Sequence, residues 1–402
     1  MADTINTATS SSSSSSASST STPSVAPKIL LAKPVSSTVD STSHLRSRAP
    51  SLGSLNLISD SWDLHTERVL PFLTENTDFT VIGIIGPPGS GKSTVLNEIY
   101  GFDGTSPGML APFATHSEET RATARHCTTG IELRVSAERL ILLDTQPIFS
   151  PSILAEMMRP DGTSAIPSSN GEVLSADLAH ELMCIQLGVF LASTCHVLLV
   201  VTEGIHDVNM WHQMLTVDLL KHGIPDPSST SSYSQASNLV SDKENNDNLD
   251  AVEEYLACPV FVHTKLRDKD MSPLRITQLK KTLSQYFSSS SFARMVHGNT
   301  PKDHSDEHPD TDISQLSPAD LDLFVLPRSC EDDLQGAMYE SFTTSLGKLR
   351  DQVLAMKCQP FAKAISEREW LRNSARIWEI VKNSPVIAEY SKTLQDSGMF
   401  RR

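Results

Sequence analysis

The amino-acid sequence predicts an α/β fold: a mostly parallel sheet with helices on both faces, followed by further helices at the C-terminus. Apolar runs of strand length alternate along the chain with longer helical patterns, which is typical of strands joined by helical crossovers. A complete phosphate-loop motif, residues 86–93, lies between the first long apolar run and the next helical pattern. Beyond residue 365 the apolar residues recur with the spacing of amphipathic helices.

Each predicted element depends on its own apolar pattern. The predicted strands are short runs rich in Val, Ile and Leu, at residues 79–85, 131–135, 140–143, 196–201, 259–263 and 321–326. The predicted helices have longer patterns, at residues 93–100, 173–193, 208–222, 273–287 and 338–357. Two more, 366–382 and 385–394, form a C-terminal helical appendage. Its apolar side chains either pack on the preceding domain, the more common fate, or contact a partner; they include Trp370, Ile377, Trp378 and Tyr390.

The polar segments of the chain predict its domain organisation. Residues 1–50 are Ser-rich and poor in large apolar side chains, so we expect a disordered tail. A P-loop domain of the G-protein type is predicted for residues 51–357, with disordered insertions at about 225–248 and 298–312. Residues 358–402 are the predicted C-terminal helical segment.

Charge and cysteine usage limit the function classes. The 402-residue chain has 33 Lys and Arg against 48 Asp and Glu, and its net charge of −15 opposes binding to nucleic acid. Its six cysteines form no CxxC pair, which favours free thiols in a reducing compartment. The N-terminus has a serine run and no apolar segment of the kind found in secretory signals, so we expect a cytoplasmic protein. The apolar window 185–201 contains Gln186 and His196 and changes from a helical to a β-rich pattern, which predicts a buried helix followed by a buried strand and not a membrane span.

The phosphate loop is the most specific motif, since Gly-Pro-Pro-Gly-Ser-Gly-Lys-Ser matches GxxxxGK[ST] in full at residues 86–93. Its glycines let backbone N–H groups converge on phosphate oxygens, and the next helix adds its positive end. Lys92 is expected to reach the β and γ phosphates, and the Ser93 hydroxyl to bind Mg²⁺. The predicted nucleotide-binding residues of the loop are Gly86, Gly89, Ser90, Gly91, Lys92, Ser93 and Thr94.

Two later residues complete the predicted magnesium site. Thr128 opens the second predicted strand, where P-loop G proteins keep a switch threonine that senses the γ phosphate. Asp144 ends the third, where a carboxylate binds Mg²⁺ through water. Ser93, Thr128 and Asp144 are therefore the predicted metal set. His126 and Cys127 lack further ligands at suitable spacing, so we predict no other metal.

The switch motif departs from that of an active G protein. An Asp-x-x-Gly motif would place a glycine N–H on the γ phosphate, but the residue after Gln146 is Pro147, which has no N–H. Ile148 occupies the usual place of the water-positioning glutamine. The sequence position of Gln146 favours a structural role over a catalytic one. We therefore predict no catalytic residues and at most slow hydrolysis.

The base-reading motif also departs from the G-protein pattern. Asn-Lys-x-Asp should follow the strand 259–263, but the chain has Thr264-Lys265-Leu266-Arg267, with Asp268 one residue late. Arg267 has no acceptor for guanine. Lys265 remains a predicted nucleotide-binding residue, and the predicted cofactors are ATP or GTP, or a diphosphate, with Mg²⁺.

Residues 140–154, Leu-Ile-Leu-Leu-Asp-Thr-Gln-Pro-Ile-Phe-Ser-Pro-Ser-Ile-Leu, resemble the segment that marks the ninth SMG factor of nonsense-mediated mRNA decay. Ala-Arg-Ile-Trp at 375–378, Ala-Glu-Tyr-Ser at 388–391 and Cys-His-Val-Leu-Leu-Val-Val at 195–201 are similar to the same family. The resemblance covers about residues 78–394. Thr264 departs even from members that keep Asn-Lys at this place.

The resemblance implies a pseudo-G domain that forms a heterodimer with a second, G-domain-containing SMG subunit. Together they would regulate a PI3K-like protein kinase that phosphorylates the helicase of the decay pathway. The predicted function is thus a nucleotide-binding regulatory or scaffold subunit and not an enzyme. An active P-loop NTPase or small-molecule kinase is the alternative, and a nucleic-acid-binding protein is the third class considered.

Overall fold

A seven-stranded sheet forms the centre of the protein in this computed structural model. The structure describes residues 55–104, 110–115, 117, 120, 122, 125–159, 174–229, 254–293, 321–329 and 340–398. The strands are β1 (Asn56–Ile58), β2 (Thr80–Ile85), β3 (Ile131–Val135), β4 (Leu140–Thr145), β5 (Val197–Glu203), β6 (Cys258–Leu266) and β7 (Asp322–Pro327).

The strand order is β1-β3-β4-β2-β5-β6-β7. The β1–β3 and β3–β4 pairs are antiparallel, and all other neighbouring strands run parallel. The strand before the phosphate loop, β2, lies between β4 and β5, and its register pairs Gly83 with Leu143. This register brings Asp144, the next residue of β4, level with the end of β2. The predicted mostly parallel sheet of a G-domain-like fold is confirmed.

Helices cover both faces of the sheet. Successive side chains of β2 point to opposite faces, and each set packs against different helices. In the described residues the helices are α1 (Thr66–Val69), α2 (Lys92–Tyr100), α3 (Pro151–Met157), α4 (Ala176–Thr194), α5 (Val208–Leu220), α6 (Pro273–Tyr286), α7 (Phe342–Ala355), α8 (Glu367–Lys382) and α9 (Pro385–Asp396). Ile82 and Ile84 pack with α2 and α7 on one face. Val81 and Ile85 belong to the larger core on the other face, with α4, α5, α6 and α8.

The C-terminal helices pack against the sheet domain. The indole N–H of Trp370 donates to the carbonyl oxygen of Thr194 at 2.8 Å, and that of Trp378 to the carbonyl oxygen of Trp62 at 3.3 Å. The Trp378 ring lies edge-on to Trp62 and Phe190, with ring centroids 5.3 and 5.4 Å apart. Packing, the more common of the two fates considered for this apolar face, is therefore confirmed for both tryptophans.

Helix α4 lies beneath α8. It is long and apolar enough to cross a membrane by length and composition, but 83% of it is buried in the protein. This burial fits the predicted buried helix followed by a strand. The five cysteines in the described part of the chain are free thiols, as predicted.

Several elements differ from the sequence prediction. Strand β4 continues to Thr145 and β6 to Leu266, whereas the pattern predicted shorter strands. The pattern missed β1, α1 and α3, and the 3₁₀ turns Leu70–Phe72 and Asp268–Asp270, because each is too short to show a period. The predicted tail 1–50 and insertion 298–312 lie outside the described residues. Of the predicted insertion 225–248 the structure describes 225–229, where Asp226 accepts from the backbone N–H of Ala362 at 3.1 Å.

Candidate nucleotide-binding site

The phosphate loop adopts a conformation that its glycines make possible. Gly89 and Gly91 have φ values of +73° and +94°, in the left-handed region that side chains disfavour. Gly86 has no room for a side chain, since an added Cβ would lie 2.1 Å from the carbonyl oxygen of Val201. Gly91 also caps α2, so the loop ends at a helix N-terminus whose free N–H groups attract anions.

Lys92 is a buried cation at the start of α2. Its ammonium donates to the carbonyl oxygens of Gly86 at 3.0 Å and Pro87 at 3.2 Å. Burial lowers the pKa of Lys92 to about 8, and the nearby Asp144 opposes that shift. Charge held in a partly dry site interacts strongly with an incoming anion. Lys92 is thus placed to bind phosphate.

Three oxygen-bearing side chains converge behind the loop. Asp144 is fully buried, and its Oδ2 accepts from the hydroxyl groups of Ser93 at 2.7 Å and Thr128 at 2.9 Å. Its Oδ1 is buried without a hydrogen-bond partner in the described part of the chain. Burial raises the pKa of Asp144, and the charge of Lys92 is the largest of the opposing effects. Hard oxygen ligands beside an unsatisfied carboxylate oxygen fit Mg²⁺.

The segment after Asp144 is tied to the loop and to β3. The side-chain oxygen of Gln146 accepts from the backbone N–H of Gly130 at 2.9 Å, and the Gln146 N–H donates to the Gly130 carbonyl oxygen at 2.8 Å. The structural role predicted for Gln146 is confirmed. The side chain of Ile148 is fully buried in the core, and its N–H donates to the carbonyl oxygen of Gly86 at 3.2 Å.

The ends of β5 and β6 close the other side of the loop. The Thr264 hydroxyl lies 2.8 Å from the carbonyl oxygen of Ser90, so this residue supports the loop through its backbone. Lys265 has a φ of +57°, and its ammonium lies 2.7 Å from Oε2 of Glu203. That ammonium is also the nearest atom to Gly89, 3.9 Å from where a Cβ would be. Lys265 therefore lies over the phosphate loop.

Arg267 borders the cleft at the place where guanine recognition needs a carboxylate. Its Nε donates to Oδ2 of Asp270 at 3.3 Å, and Oδ1 of Asp270 accepts from Arg275 at 3.2 Å. Asp268 is exposed and does not line the cleft. The carboxylate beside Arg267, that of Asp270, is already engaged by two arginines. The sequence pattern gave no signal for Asp270, Arg275 or Arg328, since only the fold brings them to this cleft.

These residues surround one open cleft of about 1260 Å³. Seven of the predicted site residues line it: Gly89, Gly91, Lys92, Ser93, Thr94, Thr128 and Lys265. Three do not: Gly86 packs against β5, the hydroxyl of Ser90 is buried without a partner among the described residues, and Asp144 lies behind Ser93. His126 and Cys127 line the cleft, but in the described residues no three His, Cys, Asp or Glu side chains form a metal cluster.

Comparison with known proteins gives several SMG9 proteins as relatives. No protein-family model matches the chain. The nonsense-mediated mRNA decay factor SMG9 of Xenopus tropicalis is 29% identical over 356 residues, covering 82% of this chain and 64% of the relative. The SMG9 proteins of Salmo salar and Caenorhabditis elegans are 27% and 29% identical, over 84% and 45% of this chain. The predicted resemblance is confirmed: the chain is related to the SMG9 proteins.

The match covers only part of the relative's length. The chain spans about 64% of the length of the Xenopus tropicalis SMG9. Among solved structures, translation elongation factor SelB of Methanococcus maripaludis, in complex with the GTP analogue GppNHp, matches with a TM-score of 0.28 and 12% identity. The match covers 69% of this chain and 34% of SelB. That score is too low to support a conclusion, so the fold assignment depends on the strand order and the phosphate loop.

Proposed function

We propose that this chain is a nucleotide-binding subunit of the nonsense-mediated mRNA decay machinery that acts as a scaffold and does not turn its nucleotide over. The observation that carries the proposal is Ile148. Its side chain is fully buried and its N–H is bonded to Gly86, so the residue at the water-positioning place cannot reach a nucleotide. Pro147, beside it, has no N–H to offer the γ phosphate.

The cleft supports binding of ATP or GTP, or of the diphosphates. The phosphates would lie on the N–H groups of residues 89–94, with Lys92 and Lys265 on either side. Ser93, Thr128 and Asp144 would hold Mg²⁺, which neutralises phosphate charge when bound. Base recognition would be weak, because Arg267 provides donors and no acceptor.

The switch region supports a fixed structure over a cycling one. Gln146 and Gly130 exchange two hydrogen bonds across β4 and β3, and Thr128 is bonded to Asp144. A switch segment needs two arrangements of similar free energy. These bonds and the buried Ile148 all favour one arrangement. A nucleotide held in such a site would stabilise the domain for assembly.

The relatives support the place of this scaffold in the cell. They carry the name of decay factors, and the family resemblance implies two partners: a second, G-domain-containing SMG subunit in a heterodimer, and a PI3K-like protein kinase. We propose that this chain bridges them in the cytoplasm. Regulation of the kinase would then follow from assembly and not from nucleotide hydrolysis.

An active P-loop NTPase is the second candidate, and His126 favours it. The imidazole lines the cleft two residues before Thr128. Its Nδ1 lies 3.0 Å from the Ser152 hydroxyl, and its Nε2 lies 3.9 Å from a carboxylate oxygen of Glu156. To accept a proton from water, the imidazole would have to exchange one of these two contacts for the water molecule. This candidate requires that His126→Ala abolish phosphate release.

The test combines binding, turnover and assembly for the full chain with its two partners. Lys92→Ala should weaken nucleotide binding about tenfold to a hundredfold, which corresponds to losing one charge-assisted bond. Lys392→Ala, an exposed lysine on α9, is the matched control and should bind normally. Mass spectrometry of the purified complex would identify the nucleotide that it carries.

Phosphate release separates the two candidates. The scaffold proposal expects negligible release, with assembly weakened by Lys92→Ala. Release at about 1 s⁻¹ or faster, the usual enzyme range, that is lost in Lys92→Ala while the complex still assembles would overturn the scaffold proposal. Equal nucleotide affinity of wild type and Lys92→Ala would overturn the binding site itself.

A further inference from the structure

The end of the cleft away from the phosphate loop has an unexpected excess of positive charge. Four cationic side chains, Arg267, Lys269, Arg275 and Arg328, line it beside one carboxylate, Asp270, while Lys265 and Glu203 pair over the phosphate loop. The chain as a whole has a net charge of −15. An uncharged base needs no cation to bind it. This local excess therefore indicates that the ligand has a second anionic group.

Two of the cations remain available for such a group. Lys265 is paired with Glu203, while Arg267 and Arg275 share Asp270. Lys269 and Arg328 are exposed and form no ion pair with a carboxylate of the described residues. The cations of the cleft repel one another, and an anion between them would relieve this repulsion. A phosphate bound by Lys269 and Arg328 would also accept charge-assisted hydrogen bonds.

The cleft also continues into a second groove, away from the phosphate loop. A groove of about 410 Å³ shares Ile205, His206 and Arg275 with it and continues along α6 past Gln278 to Lys281. A ligand that extends beyond the base and ribose would therefore find both space and positive charge. Lys269 and Arg328 line the cleft and not this groove, so the charge excess of the cleft is the observation that indicates the class of ligand.

We propose that the cleft binds a nucleotide that has a 2′- or 3′-phosphate on its ribose in addition to its 5′ phosphates. Lys269 and Arg328 bind the ribose phosphate, while residues 89–93 and Lys92 bind the 5′ phosphates. The proposal rests on the nucleotide binding proposed above and names the ligand class more narrowly. Charge-assisted bonds from Lys and Arg are the usual way in which proteins recognise phosphate.

The experiment measures dissociation constants by titration calorimetry at low salt for ADP and for its 2′-phosphate and 3′-phosphate derivatives. One of the derivatives should bind at least tenfold more tightly than ADP. The gain should shrink as salt rises, because exposed charges are screened. In Lys269→Gln/Arg328→Gln the ratio of the two dissociation constants should fall below about two.

Matched controls make the ratio decisive. Lys357→Gln/Lys392→Gln removes two exposed charges outside the cleft and should keep the wild-type ratio. If ADP binds but neither ribose phosphate improves affinity, the inference is overturned and nucleotide binding stands. The same holds if the gain survives Lys269→Gln/Arg328→Gln. If no nucleotide binds at all, the proposed function fails as well.

Discussion

Arg139→Gln tests whether the C-terminal helices and the P-loop domain unfold as one unit. The Glu367 side chain at the start of α8 is fully buried. Arg139, in the turn between β3 and β4, donates from Nε to Glu367 Oε1 at 2.6 Å and also binds Oε2 through Nη2. The backbone N–H of Thr74 donates to Oε2 at 2.7 Å. One carboxylate thus joins three separate parts of the chain.

The expected cost follows from the burial of Glu367. Removing one partner of a buried ion pair leaves an uncompensated charge and costs about 3–5 kcal/mol. Glu138 is the neighbouring residue in the same turn, and its pair with Arg350 is exposed, so Arg350→Gln should cost about 1 kcal/mol or less. Adding Glu367→Gln to Arg139→Gln removes the buried charge and should recover part of the loss.

Urea and thermal unfolding followed by tryptophan fluorescence and by far-UV circular dichroism provide the assay. The chain has four tryptophans, of which Trp370 and Trp378 lie on α8 and Trp62 packs against Trp378. Fluorescence is therefore measured in a Trp211→Phe background, and circular dichroism reports on the whole chain. Arg139→Gln should lower both midpoints together, with the thermal midpoint falling by on the order of 10 °C. Two separate transitions, of which only the fluorescence one shifts, would refute the reasoning and favour an independent C-terminal segment. If Arg139→Gln lowers the free energy of unfolding no more than Arg350→Gln does, the expected cost of breaking the Arg139–Glu367 pair is wrong.

Three further predictions concern stability and selectivity. Burial lowers the pKa of His196 to about 4, and its neutral Nδ1 accepts from the Val81 N–H at 2.9 Å. The contribution of His196 to the free energy of unfolding is therefore full above pH 6.5 and falls by about 3 kcal/mol as the pH drops to 4. Urea unfolding as a function of pH should show a smaller dependence in His196→Asn. Because Arg267 has no acceptor, competition binding should show ATP and GTP within about tenfold, and a hundredfold preference for GTP, about 2.7 kcal/mol, would contradict this. Trp378→Ala should cost about 3–5 kcal/mol in urea unfolding, against about 1 kcal/mol for the half-buried Tyr390→Ala control.

The central strands could be predicted from sequence because their burial dominates their composition. Strand β5 is buried on both sides through six residues, and β2 is buried from its second residue on, so both are continuous apolar runs. The phosphate loop was equally predictable, since only glycines allow its left-handed turns. Strand ends were less predictable, because polar residues such as Thr145 and Thr264 still form ladder pairs that an apolar pattern does not show.

Long-range polar contacts could not be predicted from local pattern. Asp270 meets Arg275 only because α6 begins after a 3₁₀ turn, and Glu367 meets Arg139 across 228 positions of the chain. The apolar spacing of α8 predicted which side chains would be buried, but not that the Trp370 indole would reach the end of α4. Such contacts depend on how helices and strands pack together, and the spacing of apolar residues along the sequence contains no information about this packing.

Thr264 and Gln146 together explain how the phosphate loop keeps its supporting contacts although the G-protein motifs around it are altered. At the place where asparagine is expected, Thr264 retains a hydroxyl that bonds the Ser90 carbonyl, so the loop keeps its support from β6. Gln146 keeps its amide on Gly130, so β3 and Thr128 stay next to Asp144. At the place where many G proteins keep a water-positioning glutamine, the apolar Ile148 lies in the core. The departures from the motif therefore fall at positions 147 and 148 and at the base-reading segment, while the contacts that hold the phosphate loop in place remain.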